Sequence, residues 1–182
     1  DDYWADPLKL KKQVDFLENN RDFNICFHPI NMIDTEQKII KSTRPMTDRT
    51  VFEFADLIEN NFIYTASSLI RKSALPNNFP SWFFKMPIGD WSLYLLAAKE
   101  GKIKMIDEIM ANYRLHEQGI YTTTNSLVKS FNWAKGMLLV QNYMPKKYSK
   151  EFKKRAAELI YQSLYKNVKS DLSYRKFEVL YY

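Results

Sequence analysis

The chain has 182 residues, of which 46% are hydrophobic and 15% aromatic, and a net charge of +6. That is long enough for a domain with a proper core and too apolar for a disordered chain. One cysteine excludes an intrachain disulfide and a cysteine-based zinc site, and four glycines argue against a glycine-rich phosphate loop or a turn-rich all-β protein.

The charge is uneven. Residues 1–141 hold 17 Lys and Arg against 17 Asp and Glu, whereas residues 142–182 hold 10 against 4. The basic character therefore belongs to the tail. No run of 18 apolar residues occurs and no secretory segment is read, so the expected compartment is the cytoplasm.

In chain order, Asp6-Pro7 is expected to open a helix, with Asp as N-cap and Pro at the first helical position. Leu10, Val14 and Leu17 fall at helical spacing and are expected to face the core, with lysines opposite. Residues 23–30 read as a strand stopped by Pro29, with Cys26 a buried small hydrophobe and His28 either satisfied in the core or facing a cleft. Residues 34–50 are polar without a clear period and read as a loop. A short helix over 52–60 and a strand over 63–72 follow, then an irregular stretch with three prolines. In the next helix Leu93, Leu96 and Ala97 share a face, and Gly101 is the expected C′ residue. Residues 102–116 read as one or two short strands. From Asn125 onward the pattern is helical, with one apolar stripe of Leu127, Phe131, Ala134 and Leu138. A second comprises Phe152, Ala156, Leu159, Ile160 and Leu164. The expected class is α/β, a thin mixed sheet of three or four strands flanked by helices and followed by a C-terminal helical extension.

Several stretches, taken in order, carry a resemblance: "DDYWADPLKLKKQVDFLE", "CFHP", "NFIYTASSLIRK" and "PIGDWSLYLLAAKEGKIKMIDEIMANYRLHEQGIY". Together they resemble the acceptor-side half of family 2 glycosyltransferases of the GT-A fold. The resemblance covers roughly residues 1–121, leaving 122–182 as a variable helical extension. It implies a preceding nucleotide-binding βαβ half that nothing in this chain matches, hence a chain that begins inside a larger protein and is inactive as a transferase by itself.

Sugar transfer from a nucleotide donor requires charge neutralisation on the departing diphosphate, and a divalent cation with hard oxygen ligands supplies it. The resemblance makes Asp2 a direct ligand of Mg²⁺ or Mn²⁺, with Asp1 nearer the ribose or bridging through water. It places His116 in the metal shell or on the diphosphate, with Arg114 beside it, since residues two apart in an extended segment point the same way. The acceptor hydroxyl needs a base, and Asp90 in Gly89-Asp90-Trp91 is the candidate; the local pattern alone also suits a helix N-cap. Trp91 is either a wall for a sugar ring or core. Thr65 and Ser67 line the acceptor pocket by resemblance, and Lys85 and Trp82 border it. One base and no second nucleophile imply inversion. The expected partners are a nucleotide-sugar donor and a glycan or lipid-linked acceptor, as in the building of cell-envelope polysaccharide.

The tail clusters Lys146, Lys147, Lys150, Lys153, Lys154 and Arg155. Such a cluster can hold a protein at an anionic inner membrane face, at about 1 kcal/mol per charge near the surface, or be the solvated face of a packed helix. Without a base-reading motif, nucleic acid is not an expected partner. The competing class is a non-catalytic scaffold docked on a partner or membrane through this tail.

Overall fold

The computed structural model describes residues 2–45, 47–116 and 124–179, with side chains described as far as residue 169. It is a mixed α/β structure in two compact units. One unit comprises Asp1–Phe84 with Gly89–Thr123, and the other Lys85–Ile88 with Thr124–Tyr182.

The first unit carries eight strands among the described residues, more than the sequence pattern suggests. They are β1 (Tyr3–Trp4), β2 (Phe23–Phe27), β3 (Ile30–Ile33), β4 (Ile39–Thr43), β5 (Val51–Phe52), β6 (Leu69–Ile70), β7 (Lys102–Met105) and β8 (Ala111–Arg114). They form two four-stranded sheets, ordered β1-β8-β3-β4 and β5-β7-β2-β6. Each sheet has a central parallel pair, β8 with β3 and β7 with β2, flanked by antiparallel edges. The chain passes from β2 to β3 through His28-Pro29. Proline has no N–H to donate, so a ladder cannot continue through it and the strand leaves one sheet for the other.

Helices α1 (Lys9–Asn19), α2 (Phe54–Glu59) and α3 (Gly89–Ala98) complete this unit. Its core contains Ile25, Cys26, Ile30, Leu57, Trp91, Leu95, Ile103 and Met110, each with no accessible surface. Phe27, Phe52 and Phe62 pack as a ring cluster with centroids 4.6–5.9 Å apart.

Four local expectations change. The first helix begins two residues late: Asp6 Oδ1 accepts from the Leu8 amide at 2.8 Å, and regular helix starts at Lys9. Its buried face keeps Leu17 but is otherwise shifted by one residue. Lys9, Gln13 and Leu17 are buried, while Leu10 and Val14 are exposed by 40% and 46%. Within residues 34–50, β4 is a strand; it is an exposed edge, so no face is selected for apolarity and no period shows. α3 ends at Ala98, three residues before Gly101, which therefore is not the C′ residue and has no positive φ. It is required by close approach instead, because a Cβ there would stand 2.3 Å from Asn24 Nδ2, the group that caps the Ala97 carbonyl at 3.0 Å.

The second unit is a helical hairpin of α4 (Ser126–Val140) and α5 (Ser149–Val179). Asn125 caps α4 by accepting from the Leu127 amide at 2.8 Å. Buried residues are Ala134, Met137 and Val140 on α4 and Phe152 and Ala156 on α5. Phe131, Leu138 and Leu164, assigned by periodicity to the packed stripes, are exposed. No helix among the described residues is long and apolar enough to cross a membrane.

Candidate active site

β1 is two residues long, so its position depends on its partner strand. Tyr3 pairs with Asn112 and Trp4 with Ala111, antiparallel to β8. One step outward, the Arg114 amide donates to Asp2 Oδ1 at 3.0 Å. This cross-strand bond fixes an otherwise exposed carboxylate at the end of β8. Arg114 closes that strand, and its guanidinium Nη1 donates to the Thr35 carbonyl at 3.4 Å. His116 is half-buried two residues further on. Asp1 lies outside the described residues.

Asp90 occupies the first turn of α3. Its Oδ1 accepts from the Trp91 amide at 2.7 Å and its Oδ2 from the Thr65 hydroxyl at 3.2 Å. The helix already begins at Gly89, so Asp90 is a first-turn residue bonded to the next amide and is not the N-cap that the local pattern suits. Thr65 is exposed and opens a 3₁₀ turn, Thr65–Ser67, directly after Tyr64. The Tyr64 ring meets the Tyr113 ring with centroids 5.8 Å apart, and Tyr113 immediately precedes Arg114. Asp2 thus rests on the Arg114 amide of β8, and Tyr64 packs on the neighbouring Tyr113. Thr65, the next residue after Tyr64, holds Asp90.

Other predicted positions are placed differently. Trp91 has no accessible surface and its indole Nε1 donates to the Leu57 carbonyl at 2.8 Å, so it is core and forms no wall for a sugar ring. Ser67 is also fully buried, its hydroxyl donating to the Tyr64 carbonyl at 2.7 Å. It cannot line an open acceptor pocket. The expected strand over residues 63–72 is a tight turn followed by the two-residue β6, so Thr65 and Ser67 do not share the face of a strand. Trp82 is buried as well, and Lys85 falls in the second unit.

Sequence reasoning missed two features. Tyr94, one helical turn after Asp90, is buried, and its hydroxyl shares a 3.1 Å hydrogen bond with Ser68. Burial, with the Asp90 charge adding to it, pushes the phenol up to about 12. The i, i+4 spacing from Asp90 is the signal that could have pointed to it.

The second is a buried polar cluster under the start of the chain. Lys9 Nζ donates to Gln13 Oε1 at 2.8 Å and lies 4.7 Å from the centroid of the Trp4 ring. Gln13 Nε2 donates to the Ser67 carbonyl at 2.8 Å. Burial pulls the Lys9 ammonium below the usual lysine range and pushes the Cys26 thiol up to about 12. Cys26 is accordingly an inert thiol at neutral pH.

Among the described residues no three His, Cys, Asp or Glu side chains group as a metal cage. Asp2 and His116 would offer one hard oxygen donor and one imidazole. The carboxylate is the donor type that Mg²⁺ and Mn²⁺ take, whereas an imidazole is commoner on Zn²⁺, Cu²⁺, Fe²⁺ or Ni²⁺.

No family model matches the chain. An uncharacterized protein of Mycobacterium bovis and one of Mycobacterium tuberculosis are each 38% identical to it over 121 residues, covering 66% of this chain and 34% of the relative. The chain spans about a third of the length of the curated relatives it matches.

Proposed function

We propose that the first unit is the acceptor-side part of a GT-A-like, metal-dependent, inverting glycosyltransferase resembling family 2, and that activity belongs to a longer protein. The observation behind this reading is that the Arg114 amide of β8 holds Asp2, while the Tyr113 ring of the same strand meets Tyr64, the residue before the Thr65 that holds Asp90. A donor site and a base must both be supplied to one reacting centre, and these elements offer one of each.

In this reading Asp2 and His116 would hold Mg²⁺ or Mn²⁺, which when bound neutralises charge on a nucleotide diphosphate. The Arg114 amide orients the Asp2 carboxylate. The Thr65 hydroxyl and the Trp91 amide fix the plane of the Asp90 carboxylate. Asp90 then takes the proton of an acceptor hydroxyl on a glycan or lipid-linked sugar as that oxygen attacks the donor. The lysines at 150, 153 and 154 lie on the exposed side of α5 and support contact with an anionic membrane surface.

The test is a screen of nucleotide sugars against the longer protein with Mn²⁺ or Mg²⁺, followed by Asp90→Asn. Transfer should be abolished while metal-dependent nucleotide binding persists. Near-normal turnover by Asp90→Asn would remove the base from the reading, and a metal dependence unchanged in His116→Ala would remove His116.

A further inference from the structure

The first unit has a pocket of about 170 Å³ beside the β2–β3 bend, bordered by His28, Arg44, Asn60, Asn61, Phe62 and Tyr64. At about 30 Å³ per water that is room for five or six waters, the space of one small ring and well short of a drug-sized ligand.

Its chemistry is specific. Among the described residues that line it, Arg44 is the only one with a full charge, and its guanidinium is paired with Asp107 at 3.1 Å. The pocket therefore offers no uncompensated charge to an anion. Phe62 and Tyr64 supply aromatic surface, and Asn60 supplies a side-chain amide, a planar group that can donate and accept at once. His28 is 1% exposed, and Nδ1–H donates to the Pro29 carbonyl at 2.8 Å. This leaves Nε2 as a bare lone pair, and that atom is buried without a hydrogen-bond partner. Burial also holds His28 below the usual histidine range, which keeps the imidazole neutral. A buried acceptor without a donor costs stability, and a small shift that brings a hydroxyl to it recovers that loss.

We propose that this pocket binds a neutral, polyhydroxylated ring, a single sugar unit, with the Asn60 amide and His28 Nε2 taking its hydroxyls and Phe62 and Tyr64 its carbon face. Its use as an acceptor subsite rests on the transferase reading above, since Tyr64 is followed by Thr65, the residue that holds Asp90. Binding of a neutral sugar does not depend on that reading. Charged sugars and phosphate are disfavoured because Asp107 already occupies Arg44.

The experiment titrates the 182-residue chain with the methyl glycosides of glucose, galactose, mannose, rhamnose and N-acetylglucosamine, and with methyl glucuronide and inorganic phosphate, following amide shifts by NMR. At least one neutral glycoside should bind saturably and shift residues 60–64. Asn60→Ala, an exposed position, should weaken it about tenfold, the worth of one neutral hydrogen bond. Asp107→Asn, which frees Arg44, should move preference toward the glucuronide. No saturation by any neutral glycoside at tens of millimolar, stronger binding of phosphate or glucuronide by the unaltered chain, or affinity unchanged in Asn60→Ala would overturn the proposal. Asn60-dependent sugar binding in a longer protein that transfers nothing would uphold the pocket and end the transferase reading.

Discussion

Replacing Gln13 by leucine tests the buried cluster that ties α1 to the start of the chain. Gln13 is fully buried and bridges three elements: it accepts from Lys9 Nζ, donates to the Ser67 carbonyl, and reaches the Cys26 carbonyl at 3.4 Å. Leucine fills similar volume but removes the acceptor from a buried ammonium and the donor from a buried carbonyl. An orphaned neutral group costs about 1–3 kcal/mol, and a buried charge stripped of its partner costs more. The expected loss is about 3–5 kcal/mol, a fall in Tm of roughly 6–20 °C for a chain of this size. Urea unfolding followed by tryptophan fluorescence measures it. Adding Lys9→Met removes the uncompensated charge, so the double variant should recover about 1–4 kcal/mol relative to Gln13→Leu alone. If Gln13→Leu stays within about 0.5 kcal/mol of the unaltered chain, the size of an ordinary surface change, or if Lys9→Met adds its own loss with no recovery, the cluster is not the clamp described. Lys9 also sits over Trp4, two residues from the Asp2 that the transferase proposal invokes.

On the transferase proposal, Thr65→Val in the longer protein should lower kcat about tenfold by releasing Asp90 Oδ2, with donor KM unchanged and Thr65→Ser largely restoring the rate; steady-state kinetics showing equal kcat would remove Thr65 from the proposed site. Trp91→Phe leaves the Leu57 carbonyl without its indole donor and should cost about 1–3 kcal/mol in thermal unfolding. Gly101→Ala drives a Cβ into Asn24 and should cost about 1–3 kcal/mol, part of it regained in a Gly101→Ala, Asn24→Ala double variant. Lys12 and the Leu8 amide hold the Asp6 carboxyl below its ordinary value of 3.8. The stability it contributes is therefore complete above 3.8 and lost as pH falls through the lower folded value, so Asp6→Asn should flatten the acid limb of a stability–pH curve.

Some of this protein was legible in its residues. The alternation of helical and extended segments gave the α/β class, because periodicity reports burial wherever one face is buried. Pro29 marked the break between β2 and β3, and Cys26 behaved as the small hydrophobe its apolar neighbours imply. The pairing of Asp2 with β8 was not legible. A two-residue strand has no period of its own, and its register comes from residues more than a hundred positions away. The face of α3 was legible only in part: Ala97 is buried as expected, but the helix is apolar nearly all round, and its packing on β2 and α2 buries Trp91, Tyr94, Leu95 and Ala98 ahead of the half-buried Leu93 and Leu96.

The sequence by itself settled the main helices and the strands within residues 23–30 and 102–116, where proline forbids a continuous ladder, and that the net positive charge is carried by the tail. Tertiary structure alone decided that Lys9 and Gln13 face inward while Leu10 and Val14 face water, and that Thr65 meets Asp90. The reason is physical. Local pattern encodes what a segment can bury on average, whereas a buried polar side chain is tolerated only where distant backbone groups meet its hydrogen bonds, and those partners exist only once the chain has folded.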